Sequence, residues 1–159
     1  MRILLTSILV FVNFILQTTL LPYLSIGGVL PNTALIIVVS YALLRGSISG
    51  AMVGFFSGML MDIFFGTSIG FYALLFLLAG LAIGRSQKEF YRENYLLPVI
   101  ICSLTAMVYE SIVFITGFVF QGETNILYFL LRLLIPEAVY TAVVTVPIYR
   151  LLFGVNEWL

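Results

Sequence analysis

Four ionisable side chains lie in stretches otherwise built of apolar residues: Asp62, Glu110, Arg132 and Glu137. If those stretches cross a membrane, an unpaired charge at that depth costs at least about 3 kcal/mol, so each must be paired, protonated or functional. Two acids on facing helices, Glu110 and Glu137, could bind a metal or relay protons. The sequence contains no histidine and one cysteine, Cys102, so neither a His/Cys metal cluster nor a nucleophilic triad can be assembled. No ligand-spaced motif and no polar path across the other segments accompany the acids. The reading preferred here is a structural charge clamp rather than a catalytic pair, with no metal and no cofactor. Asp62 and Arg132 have matching depths and are expected to pair, and Glu110 could compete for the arginine. Glu137 lies about 140° from Arg132 around an ideal helix, so those two should not meet unless Pro136 bends the chain.

The elements that would carry these charges follow from composition. The chain of 159 residues is 62% hydrophobic and only 9% charged, whereas soluble domains carry roughly 25% charged residues. That is the composition of an integral membrane protein, and at about 20 residues per crossing the whole length is used by a handful of helices. One transmembrane domain, residues 1–159, is expected. Apolar runs place six spans: about 3–24, 30–44, 47–65, 71–84, 95–120 and 126–152. The first resembles a signal peptide, but its apolar run is long and no small-x-small cleavage pattern follows, so it counts as a span. The second is short for a full crossing, so either the bilayer thins there or the preceding SIGGVLPN turn dips inward. Pro31 suits the first turn of the helix that follows it.

The third span is expected to be the packing spine. Gly46, Gly50, Gly54, Gly58 and Gly66 recur at every fourth position, with Asp62 in the missing place. In water each internal glycine would cost roughly 1 kcal/mol relative to alanine. In lipid, small residues let helix backbones approach closely, which is the main source of association there. The stripe drifts about 40° per step, so it winds around the helix and suits a crossed neighbour better than a parallel one. On the fourth span, Ala73, Gly80 and Gly84 share a face that could receive it. In the first span Thr6, Asn13 and Gln17 share a polar face, which should meet protein, either this chain or another.

Arg2, Arg45, Arg85, Lys88, Arg92 and Arg150 all fall on one side of a six-span arrangement, and the opposite turns carry no basic residue. The positive-inside rule then places both termini in the cytoplasm. The loop RSQKEFYREN presents Arg85, Lys88 and Arg92, which could dock a cytosolic protein or serve only as a topology determinant in contact with lipid headgroups. Net charge is zero, which gives no reason to expect nucleic acid.

A resemblance adds to this. Gln17-Thr18-Thr19 followed by Leu21-Pro22, then Pro31-Asn32, then Leu44-Arg45-Gly46 leading into the glycine ladder with Asp62, resembles the bacterial rod shape-determining protein MreD family over nearly the whole chain. Many members carry Asp where Asn32 stands here. The resemblance implies a non-enzymatic, multi-pass component of the cell-elongation machinery, the elongasome, in the bacterial plasma membrane. It implies a scaffold that grips a single-span MreC-like partner and works with MreB, RodA and penicillin-binding protein 2 in peptidoglycan synthesis. It also implies a fold similar to the substrate-binding subunits of energy-coupling-factor vitamin transporters. Under that reading the small-residue and polar faces of Asn13, Gln17, the glycine ladder, Gly80 and Gly84 are where the partner contact is expected. The alternative is a transport subunit holding a vitamin-sized molecule, against which stands a first span without alanine. An intramembrane enzyme using Glu110 and Glu137 is the remaining reading.

Overall fold

The computed structural model describes residues 1–66, 68–86, 95–122 and 125–158, and the expectations for Lys88 and Arg92 fall outside them. The chain is all-helical: α1 Arg2–Thr19, α2 Thr33–Arg45, α3 Ser47–Phe65, α4 Phe71–Arg85, α5 Leu96–Gln121 and α6 Ile126–Trp158. α1, α3, α5 and α6 are each long and apolar enough to cross a membrane. α2, with 13 residues, and α4, with 15, are shorter apolar helices.

α2 is the centre. Its residues from Thr33 to Leu44 are all buried, and it touches α1, α3, α4, α5 and α6. A helix that is apolar all round, as TALIIVVSYALL is, has no solvent face to offer and must be enclosed. Enclosure also accounts for its shortness, because a rod surrounded by protein has no need to reach both lipid surfaces. α1 ends at Thr19, earlier than the apolar run to Leu24, and a single 3-10 turn at Leu21–Leu24 follows. The proline at position 22 sits in that turn, where no donor is missed.

The α3–α4 hairpin is the tightest pairing in the molecule. A Cβ placed on Gly58 would fall on the backbone of Ala73, one on Gly54 on the carbonyl of Phe76, one on Gly80 on the backbone of Gly50, and one on Gly84 on the backbone of Ser47. Backbones in direct contact at four levels form an antiparallel zipper along the whole of α4. The neighbour is thus the next helix folded back, held along its length rather than at one crossing. The expected winding is taken up by a second neighbour, since a Cβ on Gly50 would also lie 2.5 Å from Ala42 Cβ of α2.

Gly46 and Gly66 are not rungs of this zipper. Gly46 is the joint between α2 and α3, with φ +94°, a conformation that residues with a Cβ rarely adopt, and its N–H closes α2 on the Ala42 carbonyl at 3.0 Å. Gly66 ends α3, donating to the carbonyls of Met61 and Asp62.

α6 begins irregularly. Residues Leu130–Leu134 form a π turn immediately before Pro136, which has no N–H for the Arg132 carbonyl and whose ring crowds it. Widening the preceding turn moves that carbonyl aside.

Candidate functional site

The chain's polar side chains gather where α2 begins. Asn32 caps α2 by accepting from Leu35 N at 3.1 Å, and its own N–H donates to Thr141 Oγ1 of α6 at 3.3 Å. Its side chain lies near the Tyr109 hydroxyl of α5. From α1, Gln17 Oε1 accepts both from Thr33 Oγ1 at 3.1 Å and from Ala34 N at 3.2 Å. The first amides of a helix have no partners within it, and in a low-dielectric interior each would be costly if left open. Two side-chain oxygens from different parts of the chain close that end of α2.

The polar face of α1 therefore turns to this chain. Thr6 lies 3.5 Å from the Tyr41 hydroxyl of α2, and Asn13 is half-buried between Thr6 and Gln17 on the same helix.

Beside this cap, Glu110 of α5 and Glu137 of α6 lie close to each other. The pair is bordered by Tyr72 and Tyr109, whose rings lie 6.3 Å apart, and Phe76 packs on Tyr109 at 5.3 Å. Further along the same faces, Thr145 Oγ1 donates to the Thr141 carbonyl, while Ser103 Oγ reaches the Ala138 carbonyl at 3.5 Å. A hydrogen bond and apolar contact thus join α5 and α6. Among the described residues no group of three or more His, Cys, Asp or Glu side chains could hold a metal ion.

Asp62 does not pair with Arg132. It is 2% exposed, and its carboxylate accepts from Gly70 N, Tyr72 N and Ala73 N, each at 3.0 Å. These amides open α4, so the acid in the last turn of α3 caps the helix that folds back on it. Charge-assisted bonds from backbone amides and the positive end of a helix dipole satisfy an anion without any cation. Arg132 is exposed on the π turn of α6, and Glu110 has turned to Glu137 instead. The expected clamp of four charges is thus two separate arrangements, a capping aspartate and a pair of neighbouring acids. Arg85 is exposed at the end of α4.

Two of these arrangements had signals in the sequence. Pro31-Asn32-Thr33 ahead of an apolar run is a helix start with its cap. Glu110 and Glu137 both lie about midway along their helices, which is what facing acids require.

The chain matches the family described as rod shape-determining protein MreD over residues 1–156. It belongs to the MreD family. No curated protein and no solved structure matches it. Membership in the MreD family assigns the chain to rod-shape determination in a membrane setting, which accords with its long apolar helices. In this MreD-family chain the small-residue ladder packs on the chain's own α2 and α4, and Gln17 of α1 is taken up by the start of α2.

The acid pair gives a direct test. Glu110→Gln keeps a donor and an acceptor for Glu137 and is expected to leave the thermal unfolding of the detergent-solubilised protein nearly unchanged. Glu110→Leu leaves Glu137 buried without its partner and is expected to cost about 1–3 kcal/mol. Equal losses for both would mean that Glu110 acts as a charge and not as half of a hydrogen-bonded pair.

Proposed function

We propose that this protein is a non-enzymatic scaffold of the cell-elongation machinery. It forms a single domain in the bacterial plasma membrane, crossing it six times with both termini in the cytoplasm. It binds the transmembrane helix of an MreC-like single-span protein and helps couple cytoplasmic MreB filaments to peptidoglycan synthesis by RodA and penicillin-binding protein 2. The observation that carries this reading is the family match over residues 1–156. The architecture supports it: polar groups are spent on closing helix ends and on bonds between helices, as a rigid platform requires.

The partner helix meets the outward faces of the bundle, because the inward small-residue faces are filled. In membranes co-expressing this chain with an MreC-like protein, affinity purification is expected to recover the two together, well above an unrelated single-span control. Recovery no better than that control would overturn the scaffold reading.

A further inference from the structure

An open groove of about 440 Å³ runs between α1 and α3 and lies over the end of α2. Its volume falls within the roughly 300–1,000 Å³ of small-molecule sites. The lining residues are sorted along its length. At one end stand Arg2, Thr6, Tyr41, Arg45 and Ser49, and further along come Val10, Val53, Phe56, Leu60 and Ile63. No acidic residue lines it. Arg45 is fixed in place: its Nε donates to Asn156 Oδ1 at 2.7 Å and its guanidinium lies 5.4 Å from the centre of the Tyr41 ring. The first turn of α3 opens at the same end, and a helix N-terminus adds partial positive charge.

We propose that this groove is a binding site for an anionic glycerophospholipid. The phosphate headgroup sits at the Arg2 and Arg45 end, and one acyl chain lies along α3 toward Ile63. The order of the lining decides the occupant: two guanidiniums, then hydroxyls, then only apolar side chains, which is the order of a phospholipid read from headgroup to tail. From Ser49 to Met59 α3 rises about 15 Å, half of a hydrocarbon core roughly 30 Å thick, so an acyl chain from one leaflet fits the apolar length. A transmembrane helix would cross both leaflets and present polar ends at each, whereas the groove offers charge at one end only. Positive-inside orientation puts that end at the cytoplasmic leaflet, where anionic lipids attract basic side chains.

The test uses the full chain purified in mild detergent and exposed to phosphatidylglycerol or to phosphatidylcholine with the same acyl chains, with bound lipid read by native mass spectrometry. Phosphatidylglycerol is expected to be retained preferentially. Each basic side chain near an anionic headgroup is worth about fivefold in binding, so the Arg2→Gln/Arg45→Gln double variant should lose about twentyfold or more of that preference. Met52→Trp, at a lining residue that is about half exposed, keeps both charges and blocks the tail channel, so it should reduce retention while leaving thermal unfolding without added lipid unchanged. Equal retention of the two lipids by the unaltered protein would overturn the proposal. So would undiminished preference in the double variant, or retention unaffected by Met52→Trp.

Discussion

Gly54→Leu should prevent the protein from accumulating in membranes, and Gly54→Ala alone should lower its thermal unfolding midpoint by about 10 °C. A Cβ at this position would lie 2.6 Å from the carbonyl carbon of Phe76 and 3.1 Å from the amide nitrogen of Leu77. Those are backbone atoms of a regular helix, which cannot swing aside as the end of a flexible side chain can. The hairpin must open, and overpacking of this kind typically costs about 1–3 kcal/mol even where side chains can adjust. For a chain of this size a loss of about 3 kcal/mol corresponds to roughly 10 °C. Leucine adds three more carbons in the same place, and the total stability of a domain, about 5–15 kcal/mol, leaves little in reserve. The control is Gly117→Ala in α5, where an added Cβ meets nothing within 4 Å, and no loss is expected. Membrane abundance of Gly54→Leu and detergent thermal melts of the two alanine variants decide the matter. An unchanged midpoint for Gly54→Ala would mean that α3 and α4 do not touch at this level.

What was legible in the sequence divides along a physical line. Membrane composition, the helix boundaries of α3, α4 and α5, and the use of small residues for close approach are local or periodic properties. They can be counted from one stretch of chain. The identity of contact partners is not local. The glycine ladder announces that a backbone will come near but does not by itself say whose; the small-residue face of Ala73, Gly80 and Gly84 on α4 offered the match, and α4 is the helix that packs there. The polar face of α1 poses the same question, and it is answered by the need of α2 for acceptors at its first turn. Charges misled for a related reason. Pairing Asp62 with Arg132 assumes that only a cation can satisfy an anion in lipid, whereas the open amides of a helix start are donors too, and a helix start lies eight residues downstream at Gly70. The central position of α2 was visible only as an anomaly of length, because a 13-residue apolar helix reads as a defective span until something is seen to surround it.

The sharpest consequence concerns that aspartate. Asp62→Asn is expected to cost at least about 2 kcal/mol, and Asp62→Ala more, because hydrogen bonds to charged groups are each worth about 1.5–3 kcal/mol and buried donors left open are penalised further. The geometry explains why asparagine is no substitute. Oδ2 receives Gly70 N and Ala73 N while Oδ1 receives Tyr72 N, so both oxygens are needed as acceptors. An amide group offers one oxygen and turns its NH2 toward an N–H. Whichever way it is flipped, at least one donor of α4 faces another donor. Arg132→Gln, in contrast, changes an exposed side chain and should stay within about 0.5 kcal/mol of the unaltered protein. An ion pair between the two would behave otherwise: either single change would break it, and the double variant would be no worse than one alone. A double-mutant cycle on thermal stability therefore separates the two arrangements, since capping predicts a large loss at position 62, almost none at 132, and simple additivity. Comparable losses with strong coupling would return Asp62 to the arginine. The same cap also fixes where α4 starts relative to α3, so losing it should loosen the pairing of Gly58 with Ala73, the rung of the zipper nearest the turn. Amide exchange in Asp62→Asn should accordingly accelerate first in the opening turn of α4, before it does so around Gly80 and Gly84.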